Sequence, residues 1–409
     1  MNKRQKKQLN KINIDLSKTK FNTLEMILIF IMALVFGILI GEMVYGGNKS
    51  PVSLKTSTST EMAEIKSVYN TILSEYINSV DKEELKEAAI NGMMASLNDK
   101  HSMYFDEEQT EEFKEELNGY FTGLGVSVYK EGNNPVTIYE VLKNSPAEKY
   151  KLQKGDQFIK INGKDVKKAT TEDISNIIRG KESVFNIVIK RKEEEKEIRV
   201  LTGKVDLESV SSKVIEKSNK KIGYVEISIF ANNTDEQLKE TLKKLEEENI
   251  DNLIIDLRYN PGGELETVIN IASEFIENKK PIIQIKTKSN TDIEYSKGNN
   301  NKKYNIAVLI NDSSASGSEA LAAALNEQCN AKLIGTTTYG KGTVQKTKQL
   351  PNGTIIKYTT ETWSTSKGKS IEKLGIKPTI EQKQSKKYYE TLKDQDDAQL
   401  QKALEELLK

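Results

Sequence analysis

Five short apolar runs, alternating with amphipathic stretches, constrain the second half of this chain more than any other feature. "KIGYVEISIF", "NLIIDLR", "PIIQIKT", "NIAVLIND" and "AKLIGTT" read as mainly buried strands. Between them, "TDEQLKETLKKLEEE", "ELETVINIASEFIENK" and "SEALAAALNEQ" carry apolar residues at helical spacing. Strands alternating with helices predict a mixed α/β fold, with helices packed on a largely parallel sheet. Sites in such sheets form beyond the carboxyl ends of the strands, so the strand-to-helix turns come first in a search for chemistry.

At 409 residues the chain exceeds one ordinary core, and the pattern does change along it. "MNKRQKKQLNKINIDLSKTK" is basic, and Met26 to Gly41 follows without a charge; Leu24 and Val44-Tyr45 extend that run towards the length of a bilayer-spanning helix. Basic residues before the run and none close after it predict a signal anchor, with the N-terminus inside and the rest of the chain outside. No small-residue cleavage site follows Gly41, which argues against a cleaved signal peptide. The divisions read from composition and periodicity are a cytoplasmic basic segment (1–23), a transmembrane anchor (24–45), a linker (46–60) and a helical segment (61–118). A unit of short strands (119–203), the α/β segment (204–382) and a helical tail (383–409) complete the chain. In the helical segment, Met62, Ile65, Val68, Tyr69, Ile72, Leu73, Tyr76 and Ile77 form one stripe, and Leu85, Ala88, Ala89, Met93 and Leu97 a second. These helices and the tail are candidates for homodimer contacts or for packing on the chain's own core.

Composition excludes several functions. With 61 basic and 60 acidic residues there is no electrostatic reason to expect nucleic acid. One cysteine, Cys329, precludes an intramolecular disulfide framework, and with His101 it cannot make an ordinary zinc site. No cofactor or metal is expected.

Three turns carry the candidate chemistry. "NDSSASGSEALAAAL" (311–325) puts four serines between a strand and a strong helix former, where backbone amides point outward. Such a turn can present a nucleophile beside oxyanion donors, or it can simply cap a helix. His101 lies far upstream, in "LNDKHSMYF", and reads as a local hydrogen-bonding residue. A lysine can take the place of a histidine base if its pKa falls from about 10.4 toward 7 or 8. "LIGTTTYGKGTVQKT" (333–347) sets Lys341 between two glycines after a strand end. The same stretch fits G-x-x-x-x-G-K but has Gly342 in place of Ser or Thr, and a strand-like segment follows where a P-loop opens a helix. The third turn, "IIDLRYNPGGELETV" (254–268), exposes two glycine amides suited to an anion or a carbonyl oxygen.

In that order, "DLRYNPGG", "SSASGSEALAAAL" and "TTTYGKGTVQ" resemble the carboxy-terminal processing, or tail-specific, proteases, a family of Ser-Lys serine peptidases. The resemblance extends to "LNDKHSMYFDEEQTEEF", to "GYFTGLGVSV" with "NSPAEKYKLQKGDQFIKINGKDV", and to "NGTIIKYTTETWSTSKGKSIEKLGIKPTI", covering about residues 60 to 382. It implies a PDZ domain inserted at 119–203 and an α/β crotonase-like protease core at 204–382. It further implies a serine endopeptidase that binds protein C-termini and cleaves through an acyl-enzyme.

The family places its nucleophile twenty-five residues before its lysine, which makes Ser316 the nucleophile and Lys341 the base. Glu319 would share a helix face with Ser316, Gln345 would orient the amine, and Gly317 with Gly262 or Gly263 would form the oxyanion hole. Ser313, Ser314 and Ser318 then revert to caps and packing. Gly317 stands where many relatives have alanine. In the PDZ unit Gly123, Leu124, Gly125 and Val126 resemble the carboxylate-binding loop, onto which a substrate C-terminus adds as a strand. A PDZ binding module on an inactive protease scaffold is the rival reading.

Overall fold

The computed structural model describes residues 58–180, 182–298 and 304–409. The segments read as a basic N-terminus and membrane anchor (1–45) lie outside these residues, as does most of the linker. Among the described residues no helix is long and apolar enough to cross a membrane.

The predicted first stripe lies on α1 (Thr58–Glu75) except Tyr76 and Ile77, and the second on α2 (Lys82–Ala95) except Leu97; α2 is capped by Asp81, whose carboxylate accepts from the Glu83 and Glu84 amides. Part of each stripe is exposed, with Met62, Val68 and Met93 all more than half exposed, while Ile72, Leu73 and Leu85 are half-buried. A short strand, β1 (Met103–Phe105), precedes α3 (Glu107–Asn118). A reciprocal Asp106–Gln109 capping box opens α3, and Gly119 ends it at φ 70°, a left-handed conformation that glycine adopts without strain.

β2 (Tyr120–Gly123) leads into a compact unit, β3 (Val126–Tyr129), β4 (Thr137–Val141), α4 (Pro146–Lys149), β5 (Gln157–Ile161), β6 (Lys164–Asp165), α5 (Thr171–Ile178), β7 (Val184–Arg191) and β8 (Glu194–Leu201). Its antiparallel sheet runs β3-β4-β5-β7-β8, with β6 on β5. Alternation places Phe185, Ile187 and Ile189 of β7 inside, where Ile174 and Ile178 of α5 join them in one core. The chain leaves through β9 (Gly203–Asp206), which pairs antiparallel with β2, Tyr120 opposite Asp206. This two-stranded ribbon brings the ends of the unit together and makes it an insertion. β8 was not legible as a strand: "EEKEIRVL" buries only Val200 and is held by its eight-residue ladder to β7.

The remaining chain contributes β10 (Val210–Lys217), β11 (Lys220–Ile227), α6 (Thr234–Glu247), β12 (Asn252–Asp256), α7 (Leu265–Ser273), β13 (Pro281–Lys286), β14 (Thr291–Tyr295), β15 (Asn305–Ile310), α8 (Gly317–Cys329), β16 (Lys332–Gly335), β17 (Thr343–Gln349), β18 (Ile355–Thr365), β19 (Ile380–Glu381), α9 (Lys386–Thr391) and α10 (Ala398–Leu408). The main sheet runs β10-β11-β12-β15-β16-β19, parallel from β11 onward. Its two faces sort the side chains: Leu253, Ile255, Val308 and Ile310 meet α6, α7 and α8, whereas Ile254, Ala307 and Leu309 face the other way.

Two expectations are corrected here. "PIIQIKT" was expected in the parallel sheet, but as β13 it pairs antiparallel with β14 and β18 in a second sheet that also holds β1 and β17. Gln284 and Lys286 explain this, because a parallel strand buried on both faces has no place for them. The tail was a candidate dimer contact, yet Leu400, Ala403, Leu404 and Leu407 of α10 are buried against this chain's own Ile222, Ile254 and Leu309. At about 2 kcal/mol per buried leucine, the tail helix is part of the core.

Candidate active site

β15 ends at Ile310, and α8 begins one turn later with Ser316 at its N-cap. Ser316 has φ 53° and ψ −111°, a conformation that costs a residue with a Cβ about 1–3 kcal/mol and survives only where neighbours enforce it. They do so densely. The Glu319 carboxylate, itself fully buried, accepts from the Ser316 amide at 2.8 Å and from the amides of Lys341 and Gly340 at 2.9 and 2.7 Å, and from the Thr338 hydroxyl at 2.5 Å. One carboxylate thus ties the serine turn to the lysine turn.

The four serines separate by environment. Ser314 and Ser318 are buried, and their hydroxyls donate to the carbonyls of Leu257 and Asn260 at 2.8 and 2.9 Å. Ser313 is exposed. Only Ser316 of the four lines the cavity of about 930 Å³ that Lys341, Gln345, Gly262, Gly263 and Gly317 also line.

The Pro-Gly-Gly turn is joined to the same framework through Asn260. Its carbonyl accepts from the Ala315 amide at 3.0 Å and its Oδ1 from the Gly262 amide at 2.8 Å, while its Nδ2 donates to the Ile227 carbonyl at 2.8 Å. The Gly262 amide is therefore committed, and of the two glycines proposed as oxyanion donors only Gly263 remains. Gly263 has φ 144°, and a Cβ there would lie 2.2 Å from the Phe230 carbonyl oxygen, so no other residue fits. Gly317 is also tightly placed. A Cβ would meet Val268 at 2.9 Å, so the turn is closely packed on that side.

Lys341 is partly buried at the far wall. Burial pushes its pKa down, and the Lys357 ammonium pushes it further down; Asp99 and Glu319 pull it back. Lys357 is itself depressed by burial, its amine lying 5.1 and 5.3 Å from the ring centroids of the stacked Phe105–Phe113 pair. Gln345 donates through Nε2 to the hydroxyls of Thr343 and Thr359 at 2.9 and 3.1 Å. β17 and β18 form the hairpin that the alternating pattern after Gly342 predicts. The strand stands where a P-loop requires a helix, so this turn is not a P-loop.

Glycines 123 and 125, with Leu124 and Val126, open onto a second cavity of about 380 Å³, between β3 and α5 and floored by Phe158 and Ile174. Glu112 and Glu116 of α3 line both cavities, so a single helix separates them.

Three domain families match in chain order: the N-terminal domain of the activating protease CtpB (residues 45–109), a PDZ domain (113–190) and Peptidase family S41 (221–382). The carboxy-terminal processing protease CtpB of Bacillus subtilis (strain 168) is 36% identical over 327 residues, covering 79% of this chain and 68% of that protein. This chain belongs to peptidase family S41. It is a carboxy-terminal processing serine protease with a PDZ domain. A probable CtpA-like serine protease of Staphylococcus aureus (strain N315) is 32% identical over 337 residues, 81% of this chain and 67% of that protein. Among solved structures, the photosystem II D1 C-terminal processing protease aligns with a TM-score of 0.46 and 23% identity, over 78% of this chain and 86% of that chain.

One part of the peptidase site was not legible in its sequence. β1 pairs with β18, Met103 opposite Lys357, and brings Asp99, Lys100 and His101 to the lysine wall. His101, read as remote, is close enough that its imidazole is depressed by burial and then by the Lys341 ammonium. No local signal announces a pairing across some 250 residues.

Proposed function

We propose that this S41 peptidase works by a Ser-Lys acyl-enzyme mechanism. Ser316, held in a strained turn on the wall of a cavity it shares with a pKa-depressed lysine, is the observation that carries the reading. Lys341, as the free amine, takes the proton from Ser316 Oγ as that oxygen attacks the scissile carbonyl carbon. The amides of Gly317 and Gly263 receive the oxyanion. Collapse breaks the peptide C–N bond, the Lys341 ammonium protonates the leaving amine, and water repeats the sequence to release the acyl group. Glu319 acts by holding the serine and lysine turns, since its oxygens are taken up by four donors.

The substrate is a protein C-terminus. Loop 123–126 has the backbone to receive a terminal carboxylate, and the shared α3 wall puts a chain bound in the PDZ groove within reach of the larger cavity. The basic, then apolar, N-terminus supports a single-pass anchor with the peptidase outside the cytoplasm. The exposed stripes of α1 and α2 support a homodimer.

A fluorogenic peptide with a free carboxyl terminus and its C-terminal amide distinguish C-terminal recognition from unselective cleavage. The amide loses roughly 1.5–3 kcal/mol of charge-assisted hydrogen bonding, about 10- to 100-fold in kcat/KM. Equal cleavage of both peptides refutes recognition by the loop. Binding of both peptides with cleavage of neither identifies the inactive-scaffold alternative.

A further inference from the structure

The turn that carries Asp99 at the lysine wall is unused by the mechanism above, and its hydrogen bonds have a fixed direction. The Asp99 carboxylate accepts from the hydroxyls of Thr359 and Ser102, each at 2.6 Å, and from the His101 amide at 3.0 Å. Burial alone raises the Asp99 pKa, but these bonds outweigh it and hold the group at about 2. Asp99 is therefore only an acceptor at neutral pH. The Thr359 hydroxyl spends its single proton on Asp99, so towards Gln345 it can only accept. Gln345 must then turn its NH₂ group to Thr359, which it does at 3.1 Å, with Thr343 as the second acceptor at 2.9 Å. Its Oε1 is left as the amide atom that can accept from the Lys341 ammonium.

The strand pairing is irregular at Gln345 itself. Between β17 and β18 the register shifts so that Val344 faces Glu361 but Gln345 faces Thr359, leaving Thr360 as an extra residue. A bulge of this kind re-aims side chains beside a site. The Ser102 hydroxyl also accepts the Thr359 amide at 3.1 Å, fastening the strand to the Asp99 turn.

We propose that Asp99 is a positioning residue of the peptidase: through the Thr359 hydroxyl it dictates which way round the Gln345 amide lies, and so presents an oxygen to Lys341. This rests on the assignment of Lys341 as the base. The charged groups that act on the Lys341 amine are Lys357 from β18, Glu319 from α8, and Asp99, Lys100 and His101 from the turn before β1, and Glu372, bound to the neighbouring Gly342 amide at 2.8 Å, acts on His101. Removing the Asp99 charge leaves the amine with less negative potential, while an amide able to reverse no longer steadies its protonated form. Both effects favour the free base.

The test is the pH profile of peptide cleavage for wild type, Asp99→Asn, Thr359→Val and the double variant, with Lys341→Ala alongside. Asp99→Asn is expected to lower kcat by about 10- to 100-fold, with KM within about 2-fold, and to move the acid limb of kcat/KM to lower pH. Thr359→Val breaks the same link while keeping the carboxylate, and lowers kcat by a similar factor. The double variant is no slower than the slower single one, because the two residues act as a unit. Wild-type kcat in Thr359→Val, an unmoved acid limb in a folded Asp99→Asn, or losses that multiply would overturn the proposal. Activity retained in Lys341→Ala refutes the base assignment itself, whereas an inactive Lys341→Ala beside an unaffected Asp99→Asn refutes this inference alone.

Discussion

Replacing Lys341 with alanine lowers kcat/KM for peptide cleavage by about three orders of magnitude or more, the scale seen when a nucleophile loses its base. The protein stays folded. Lys341 is partly buried with a depressed pKa, so folding already works against its charge, and an alanine there leaves Glu319 bound to the same backbone amides. Thermal melting within a few degrees of wild type, together with the lost rate, separates a chemical role from a structural one. The pH dependence has a definite sign. Only the free amine accepts the Ser316 proton, so the rate falls on the acid side as Lys341 becomes protonated, and a lowered pKa extends activity toward neutrality. Burial sets most of that lowering and Lys357 adds to it. Lys357→Met removes a like charge, raises the Lys341 pKa and moves the acid limb to higher pH, opposite to the shift expected for Asp99→Asn. Wild-type cleavage by Lys341→Ala, measured under kcat/KM conditions, contradicts the assignment.

The largest stability effect is expected at Arg258, two residues before Asn260. Its guanidinium binds both oxygens of Asp256 through Nε at 2.9 and 3.0 Å, meets Asp397 at 2.9 Å, and donates to Gln399 at 3.0 Å. All four residues are buried, and Tyr224 adds a further hydrogen bond to Asp256 at 2.7 Å. Asp397 is also the N-cap of α10, accepting from the Leu400 amide at 2.9 Å. Arg258→Leu leaves two carboxylates buried without their cation, at a cost of about 3–5 kcal/mol. Urea unfolding measures this directly. The loss is expected to extend to activity, because the same arginine anchors the strand end from which the Pro-Gly-Gly turn departs. An Arg258→Leu variant as stable as wild type would mean that the tail does not brace that turn.

How much the sequence revealed depended on how local each determinant is. Ser316 was singled out from four serines by the spacing that the family resemblance supplies, whereas Lys341 stands between two glycines, a signal contained in a few neighbouring residues. The alternating strands and the helices of the main sheet were legible for the same reason. The choice between Gly262 and Gly263 was not, because it turns on the Asn260 side chain folding back onto one amide. Asp99 was missed because β1 meets β18 only in the folded chain, and nothing in "LNDKHSMYF" specifies the register that sets Met103 opposite Lys357. The tail's apolar stripe was visible, but amphipathicity alone does not say whether a helix covers its own sheet or a partner's. The burial of α10 answers that for the tail, while α1 and α2 keep part of their stripes exposed.

The central claim is that Ser316 becomes acylated. Rapid acid quenching of the peptidase during turnover of a peptide ester, followed by digestion and mass spectrometry, locates the acyl group. The expected result is the acyl mass on the peptide containing Ser316 in wild type, and none in Ser316→Ala, which also fails to cleave. An acyl group on Ser313, Ser314 or Ser318, or cleavage by Ser316→Ala at the wild-type rate, would contradict it.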